Sequence, residues 1–309
     1  MKEKERYRIF GRYLKDIFGE TVYKINVDAG FTCPNRDGTL GFGGCIYCNN
    51  DSFRPSTCKP DLTISEQIRN GIRYISERYR ARRFLVYFQP FTNTYASVDE
   101  LERLYREALN EPFVVGLSIG TRPDCVDEQK ISLLQELSRQ YFILVEYGLQ
   151  SIYDKTLMYI KRGHTIKDFH EAVNLTVNRG IHIGVHIIVG FPTETRDEML
   201  KMADYISEMP VGFLKIHQLQ VVKNTALAGR YRREPFYTFQ YDDYLDFLVD
   251  FIERLSPDIV LQRQFATAPN DILIAPLWDR SRQQITNDIA KRFKDRDAFQ
   301  GSKCLCHRG

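Results

Sequence analysis

Three cysteines lie close together near the start of the chain, in the segment CPNRDGTLGFGGCIYC that covers residues 33–48. Eleven residues separate Cys33 from the C-x2-C pair formed by Cys45 and Cys48. Thiolates bind zinc and iron–sulfur clusters. Two kinds of metal site are therefore possible. One is a four-ligand zinc site completed by Cys58, and the other is an iron–sulfur cluster held by the first three cysteines, with one iron free to bind a substrate or cofactor.

The residues around these cysteines favour the iron–sulfur interpretation. The run GFGG (41–44) is not followed by the Lys-Ser/Thr of a triphosphate-binding loop, so we expect its glycines to let the backbone wrap closely around a cluster. Tyr47, directly before the last cysteine, would shield the cluster from solvent. A cluster in the loop after the first strand of a barrel would also face the ends of the other strands.

Composition indicates a globular protein without extreme charge. The 309 residues are 43% hydrophobic and 27% charged, with a net charge of +3, which does not suggest a DNA-coating protein. There is no apolar signal region and no stretch of about 18 apolar residues, so we expect a cytoplasmic protein without membrane contact, whose seven cysteines are reduced. Positive charge gathers in three runs, RYISERYRARR (73–83), RYRR (230–233) and KRFKDR (291–296).

The elements that must position the cysteines are predicted to be alternating strands and helices. Six β-rich runs stand out: TVYKINV (21–27), RFLVYFQ (83–89), FVVGLSIG (113–120), FILVEYGLQ (142–150), IHIGVHIIVG (181–190) and FLKIHQLQVV (213–222). Capping signatures at Thr63, Ser97 and Thr195 open three of the intervening helices. A recurrence of about 30 to 40 residues indicates parallel strands with right-handed crossovers. The predicted fold is an α/β partial (β/α)6 TIM-like barrel.

The pattern changes after residue 225. We predict a core barrel over residues 1–225 and a small, mainly helical capping extension over residues 226–309. In such a barrel the chemistry lies at the carboxyl ends of the strands. The polar residues there are Gln89, Thr92, Asn93, Ser118, Arg122, Glu146, Gln150, Ser151, His186, Lys215 and His217.

Further stretches carry a resemblance to a known family. They are GTRPDC (120–125), EYGLQS (146–151), IKRGHT (160–165) and GFPTET (190–195). Together with the three cysteines, over most of residues 7–222, they resemble radical S-adenosylmethionine (SAM) enzymes. Within that superfamily the chain is similar to the subgroup whose core resembles the catalytic subunit of the Elongator complex, where the first cysteine gap is lengthened in the same way.

The resemblance implies a 4Fe-4S cluster, S-adenosylmethionine and a reductant such as flavodoxin or ferredoxin. Cys33, Cys45 and Cys48 would be the metal ligands. In this family the open iron binds the amino and carboxylate groups of S-adenosylmethionine, and an electron then splits the sulfonium to give a deoxyadenosyl radical. The cofactor-binding residues would be Gln89, Thr92 and Asn93 for the methionine amino group, Gln150 and Ser151 for the ribose, Arg162 for the carboxylate, and Ile188, Gly190 and Pro192 for the adenine. Ser118 would be a further cofactor-binding residue.

Three residues are predicted to act on the substrate: Lys215, His217 and Arg122. Lys215 shares a strand face with His217, which suits an anionic substrate group. The alternatives are an Arg122–Asp124 pair within a loop and histidines that are satisfied in the core. At the other end of the chain, Cys304, Cys306 and His307 form a tail that is a candidate second metal site.

Three functions remain open at this point. The resemblance implies a tRNA-modifying enzyme that acts on the wobble uridine and converts a 5-carboxymethylaminomethyl group to 5-aminomethyl, with tRNA held by the basic and aromatic clusters. The second hypothesis is a radical enzyme for a small metabolite or a protein side chain. The third is a zinc-stabilised binding protein without catalytic activity, which requires Cys58.

Overall fold

The computed structural model describes residues 5–49 and 61–306. Nine strands alternate with helices within these residues. The strands are β1 (Val22–Val27), β2 (Arg83–Phe88), β3 (Val114–Thr121), β4 (Phe142–Gln150), β5 (His182–Val189), β6 (Phe213–Gln218), β7 (Val221–Val222), β8 (Val260–Arg263) and β9 (Leu273–Ala275). The helices are α1 (Phe10–Phe18), α2 (Ile64–Tyr79), α3 (Val98–Leu109), α4 (Glu128–Ser138), α5 (Asp154–Tyr159), α6 (Ile166–Thr176), α7 (Arg196–Glu208), α8 (Ala226–Arg233), α9 (Tyr241–Arg254) and α10 (Arg282–Asp295).

The main sheet is a curled, parallel half-barrel of seven strands in the order β1-β2-β3-β4-β5-β6-β8. Each neighbouring pair in that order is parallel, as the predicted crossovers require. The predicted partial barrel is therefore confirmed. One predicted strand, 213–222, is divided: β6 stays in the main sheet, while β7 pairs antiparallel with β9 in a separate two-stranded sheet.

The seventh strand, β8, comes from the C-terminal part of the chain and was not predicted. It has only four residues, VLQR, which is too short for an alternation of apolar and polar residues to stand out. Its position is fixed by pairing with β6, where Phe213 lies opposite Val260 and Lys215 opposite Arg263. The mainly helical C-terminal region thus extends the sheet as well as covering it.

The helix capping that the sequence predicted is present. Thr63 and Glu66 form a reciprocal capping box at the start of α2, and Thr195 begins α7 in the same way. The Ser97 side chain accepts a hydrogen bond from a backbone N–H at the start of α3. Each such cap stabilises its helix by about 1 kcal/mol, and together they fix where the crossover helices begin.

Alternation along the strands separates the helix-facing core from the barrel interior. On β2, Phe84, Val86 and Phe88 point into the main helix-facing core, and all three are fully buried. Leu85 points the other way, into an apolar floor at the lower end of the barrel that α1 completes with Phe10. Truncating a buried phenylalanine to alanine costs about 3–5 kcal/mol, so this packing holds the strands that carry the site.

The structure also answers the question of membrane-spanning segments. Among the described residues, no helix is both long and apolar enough to cross a bilayer.

Candidate active site

A cavity of about 240 Å³ opens at the carboxyl ends of the parallel strands. Cys33, Cys45 and Cys48 line one part of it. Inward-facing residues of six strands line the rest, among them Tyr87, Gly120, Glu146, His186, Lys215, His217 and Arg263. The loop after β1 and the strand ends therefore face one shared space, as expected for a barrel enzyme.

Backbone hydrogen bonds fix the loop that carries the three cysteines. The Arg36 N–H donates to the Cys33 carbonyl at 2.7 Å, and the Cys48 N–H donates to the Cys45 carbonyl at 2.9 Å. Ile46, between these cysteines, donates its N–H to the Ile160 carbonyl at 3.0 Å and accepts from the Leu227 N–H at 2.8 Å. The loop is thus attached both to the segment after α5 and to the start of α8.

Side-chain donors also reach the Cys45 sulfur. The Asn35 Nδ2 and Arg162 Nη1 atoms lie 3.5 and 3.6 Å from the Cys45 Sγ. The same Asn35 nitrogen donates to the carbonyls of Lys161 and Arg162 at 2.9 and 2.7 Å, which positions it. Such donors favour a thiolate over a thiol, because the charged form of an acid is stabilised by hydrogen bonds and cations.

The backbone of β4 and the side chain of His164, two residues after Arg162, position the Arg162 guanidinium. Its Nη2 atom donates to the Gly148 carbonyl at 2.8 Å, and its Nε atom donates to the His164 Nε2 at 2.9 Å. Burial, together with the charges of Arg162 and Arg122, lowers the pKa of His164 to about 2, so the ring is a neutral acceptor. A side chain at Gly148 would place its Cβ 2.7 Å from the Arg162 Nη2, so any other residue there would displace this guanidinium.

Arg122 is nearly fully buried and lines the same cavity. It forms two hydrogen bonds with Asp124, at 2.9 and 2.7 Å, and donates to the Arg162 carbonyl at 2.7 Å. The predicted alternative of an Arg122–Asp124 pair is therefore present. Arg122 can still contact a bound ligand while it pairs with Asp124. Its hydrogen bond to the Arg162 carbonyl holds it beside Arg162.

The three thiols fit an iron–sulfur cluster as a donor set. Cys33, Cys45 and Cys48 are not in disulfide bonds, and burial beside Cys45 raises the pKa of Cys48. Within residues 5–49 and 61–306, no three His, Cys, Asp or Glu side chains converge on the position of one metal ion. A 4Fe-4S cluster does not require this, because each cysteine binds a different iron. Tyr47 also lines the cavity, as expected for a residue that shields the cluster.

A second group of polar residues lies deeper in the barrel, centred on Glu146, and is called the Glu146 cluster below. The Glu146 carboxylate is fully buried, and the Ser118 hydroxyl donates to it at 2.6 Å. It also accepts from the His186 Nε2 at 2.7 Å, from Lys215, and from the Lys24 Nζ at 3.4 Å. Lys215 donates in turn to the Tyr87 hydroxyl at 2.9 Å. The cluster has these six members.

The pKa values in this cluster reflect burial among positive charges. Burial acts to raise the pKa of Glu146, but the charges of Lys215 and Lys24 outweigh it and hold this pKa well below its usual range. Burial lowers the pKa of Lys215, and burial together with the Lys215 charge lowers the pKa of His186 to about 4. His217, beside the cluster, has its pKa lowered by burial and by Arg263, so both imidazoles are neutral near pH 7.

The structure divides the predicted cofactor-binding residues into two groups. Those that line the cavity are Gln89, Thr92, Gln150, Arg162 and Ile188. The others, Asn93, Ser118, Ser151, Gly190 and Pro192, are not among the residues that line it. Three side chains of the second group have internal partners: Ser118 donates to Glu146, Ser151 donates to Glu194 within the GFPTET stretch, and Asn93 donates to the carbonyls of Pro90 and Gly120. Burial raises the pKa of Glu194 to about 7.

Four residues that contribute to the interior were missed by sequence reasoning: Lys24, Tyr87, Gln262 and Arg263. Lys24 and Tyr87 lie inside β1 and β2, where alternation predicts an inward side chain but says nothing about its use. Lys24 spans the barrel to Gln262, with Nζ and Oε1 2.7 Å apart. Arg263 ends β8, a strand that was not recognised.

The C-terminal tail differs from expectation. Cys304 and Cys306 form a disulfide, which corrects the prediction that all seven cysteines are reduced. Their closeness in sequence made pairing possible, and the sulfurs are thereby not free thiolates for a metal. His307 and Cys58 lie outside the described residues. One ligand of the candidate metal site in the tail, and one ligand of the four-cysteine zinc site, therefore cannot be placed.

Comparison with known proteins identifies the class. The model of the radical SAM superfamily matches residues 33–206, and a radical SAM C-terminal domain model matches residues 211–295. The chain belongs to the radical SAM superfamily, whose enzymes use a 4Fe-4S cluster and S-adenosylmethionine, and it is a radical SAM enzyme. It is 33% identical over 300 residues to the protein YtqA of Bacillus subtilis, covering 96% of this chain and 92% of YtqA.

More distant relatives support the predicted subgroup. The chain is 25% identical over 216 residues to a tRNA uridine(34) acetyltransferase of Methanocaldococcus jannaschii, covering 69% of this chain and 38% of that protein. The solved structure of Elp3 from Methanocaldococcus infernus with an N-terminal deletion has a TM-score of 0.71 and 18% identity. That match covers 90% of this chain and 64% of the Elp3 chain, and it confirms the fold.

Proposed function

We propose that the protein modifies the side chain of a wobble uridine in tRNA, converting 5-carboxymethylaminomethyluridine to 5-aminomethyluridine. The observation that carries the proposal is the shared cavity, in which three cysteines and a deeper group of cations face the same space. The relationship to a tRNA uridine(34) acetyltransferase supports tRNA as the substrate, and it matches only 38% of that protein, so the reaction is inferred for this chain separately.

The cofactors have an evident place. Cys33, Cys45 and Cys48 would hold the cluster, and Arg162 and Asn35 would stabilise the negative charge on its sulfur ligands. Arg162, Gln89, Thr92, Gln150 and Ile188 are the proposed contacts of S-adenosylmethionine, for which Asn93, Ser118, Ser151, Gly190 and Pro192 would act from behind the cavity wall. When bound, cluster and S-adenosylmethionine together supply a one-electron route to hydrogen abstraction from an unactivated carbon.

The chain's own residues would bind and orient the substrate. Lys215, His217 and Arg122 are the proposed catalytic residues, since all three line the cavity. Burial of Lys215 lowers its pKa, which makes its ammonium group a better proton donor than an exposed lysine. The low pKa of His217 keeps its imidazole neutral near pH 7. The apolar floor and the surrounding helices exclude water from this space.

The run RYRR at the end of α8 is the best-placed RNA contact. Leu227 of the same helix donates to Ile46 in the cysteine loop, so α8 lies beside the site. Arg232 and Arg233 are exposed. By contrast, Arg292 of the KRFKDR run forms ion pairs with Asp242 and Asp246 on α9, so that run serves the fold.

The direct test is the nucleoside composition of tRNA. We expect tRNA from cells that lack the gene to accumulate 5-carboxymethylaminomethyluridine, and the reconstituted protein, given S-adenosylmethionine and reduced flavodoxin or ferredoxin, to convert it. Mass spectrometry of digested tRNA measures both. Identical nucleoside profiles with and without the gene would reject tRNA and favour a small metabolite or a protein side chain as the substrate.

Binding to tRNA tests the surface. Arg232→Ala/Arg233→Ala is expected to weaken tRNA affinity and to reduce the slope of log K against log salt by about 1 to 2, because each phosphate contact contributes close to one unit. The matched double variant Arg73→Ala/Arg78→Ala on α2 tests the basic run 73–83 in the same way. An unchanged slope in both double variants would contradict an electrostatic RNA surface at either run.

A further inference from the structure

The Arg263 guanidinium, at the side of the cavity, has no hydrogen-bond or ion-pair partner among the described residues. It lines the cavity, and it lies opposite Lys215 in the register between β6 and β8. It makes no hydrogen bond and no ion pair with any residue of the described part of the chain. An arginine that is partly buried without a carboxylate partner is unusual, since taking such a charge out of water is costly unless it is paired.

Among the described residues that line the cavity, none offers Arg263 an unused carboxylate. Glu146 is the only carboxylate among the described residues that line the cavity. Its two oxygens already accept from Ser118, Lys24, His186 and Lys215. Arg263 therefore adds a third cationic side chain, with Lys24 and Lys215, to a region that holds one carboxylate.

His217 adds a second unsatisfied group on the neighbouring strand. Its Nε2 atom is buried and has no hydrogen-bond partner among the described residues. The charge of Arg263 contributes to the lowered pKa of His217, so the two side chains lie within electrostatic range of each other. With a hydrogen on Nε2, this neutral imidazole donates one hydrogen bond beside the guanidinium.

Side-chain hydrogen bonds hold the loop after β8, so the backbone next to Arg263 is positioned in advance of any ligand. Gln218, at the end of β6, is almost fully buried. Its side-chain amide donates to the Ala266 carbonyl at 2.9 Å and accepts from the Ala266 N–H at 2.8 Å. Ala266 and Thr267 both line the cavity. Donors that are ordered before binding lose less entropy when a ligand arrives.

We propose that Arg263 and His217 form a subsite for a carboxylate group of the substrate, at the part of the cavity formed by β6 and β8. A guanidinium binds a planar carboxylate through two parallel hydrogen bonds, and His217 would donate a third. A cavity of about 240 Å³ admits a substituent on a base more readily than a phosphodiester backbone, which favours carboxylate over phosphate. The claim that the subsite binds a carboxylate depends on Arg263 and His217 alone. The claim that this carboxylate is the carboxymethyl group of the modified uridine rests on the proposed function.

The experiment compares ligands that differ in this one group. The full-length, anaerobically reconstituted protein with S-adenosylmethionine is titrated with the nucleosides 5-carboxymethylaminomethyluridine and 5-methylaminomethyluridine, and with sarcosine, the carboxymethylamino fragment alone. We expect wild-type protein to prefer the carboxylate nucleoside by about 10- to 100-fold, as for a hydrogen-bonded charged group. Arg263→Gln should reduce this ratio to near 1, and Arg263→Lys should give an intermediate ratio because it keeps the charge without the planar fork.

Arg103→Gln is the matched control, since Arg103 is exposed on α3 and pairs only with Glu107 among the described residues. It should keep the wild-type ratio. An unchanged ratio in Arg263→Gln, or no preference in wild type, would overturn the subsite. If neither nucleoside binds but sarcosine binds to wild type and not to Arg263→Gln, the subsite stands and the assignment to a modified uridine falls. If none of the three binds to wild type, the subsite is rejected whatever tRNA analysis shows.

Discussion

The cavity has two differently built parts: the cysteine loop with Arg162, and the Glu146 cluster. In the loop, positions are set by main-chain hydrogen bonds such as those of Ile46, and Arg162 is aimed by a backbone carbonyl. In the Glu146 cluster, side chains from all six strands β1 to β6 contact one another directly, and regular strands supply the backbone.

The two parts also differ in how their positive charges are balanced. Arg122 has Asp124, and Arg162 faces the Cys45 sulfur, so the cations of the loop meet groups that carry or can carry negative charge. In the Glu146 cluster, one carboxylate pairs with two lysines, and Arg263 beside it has no carboxylate partner in the part of the chain that the structure describes. This difference is what a loop that holds a cofactor through thiolates would need, and it agrees with the proposal that the deeper part receives an anion from outside the protein.

The largest expected effect comes from removing a thiolate. Cys45→Ser should abolish cluster binding and all activity, because Cys45 is the proposed ligand with both side-chain donors on its sulfur. Iron and sulfide content after anaerobic reconstitution measures the loss. Electron paramagnetic resonance of the dithionite-reduced protein, with and without S-adenosylmethionine, tests for an open iron.

Two variants serve as references for this experiment. Cys125→Ser removes a buried free thiol that does not line the cavity and should leave the iron content unchanged. Cys58→Ala separates the two metal hypotheses, since it should spare a three-cysteine cluster and destroy a four-cysteine zinc site. Wild-type protein that contains one zinc and no iron would contradict the cluster assignment.

The next effect concerns the Glu146 cluster. Glu146→Gln should lower the free energy of unfolding by about 3–5 kcal/mol, because it leaves the buried Lys215 and the partly buried Lys24 without a counter-charge. Urea denaturation of the apoprotein measures it. Glu136→Gln, on an exposed pair with Arg106, should cost less than about 1 kcal/mol. The double variant Glu146→Gln/Lys215→Met should recover much of the lost unfolding free energy. Equal losses of unfolding free energy in the single and double variants would contradict a buried ion pair.

Stability should also depend on pH through His186. Its pKa is about 4 in the folded protein, against 6.5 for the free side chain, because of burial and the Lys215 charge. Between these values the unfolded chain binds a proton that the folded protein does not, so this stability is complete above about 6.5 and is lost as pH falls toward 4. From pH 7 to pH 5 the share of His186 is about 2 kcal/mol.

The measurement is the unfolding free energy at both pH values in wild type and His186→Gln. Between pH 7 and pH 5 the variant should lose about 2 kcal/mol less unfolding free energy than wild type. Identical losses would show that His186 titrates in the folded state as it does in the unfolded chain, and the Glu146 cluster would then not be the closed, dry network described above.

The sequence predicted the loop part of the site better than the deeper part, for a physical reason. The cysteines, the glycines and the stretch around Arg162 are local patterns whose residue types are rare outside such sites. The partners of Glu146 come from strands up to 122 positions away, as with Lys24, and no local pattern specifies such pairs. Arg263 was missed because β8 is too short to be recognised, although its position opposite Lys215 adds a positive charge to the cavity.

The same reasoning explains the fold. Long runs such as β4 were predicted with their observed limits, because nine residues of FILVEYGLQ leave little ambiguity. The segment 213–222 was predicted as one strand because its composition is continuous. Its division into β6 and β7 depends on which partner each half finds, β5 and β8 or β9, and these lie far away in sequence.

The smallest expected effect returns to the cysteine loop and its dependence on backbone geometry. Gly163 has a φ of +77°, and a Cβ there would lie 2.6 Å from the Asn35 Oδ1. Gly163→Ala should therefore cost about 1–2 kcal/mol of stability and displace Asn35, the donor to Cys45, so that iron loading falls in parallel. Gly229→Ala is the matched control, because Gly229 lies in α8 with no other atom within 4 Å of an added Cβ, and alanine there should stabilise by about 0.5–1 kcal/mol. Lower stability with normal iron loading in Gly163→Ala would mean that Asn35 does not position the sulfur, and the cysteine loop would then depend on its main-chain bonds alone.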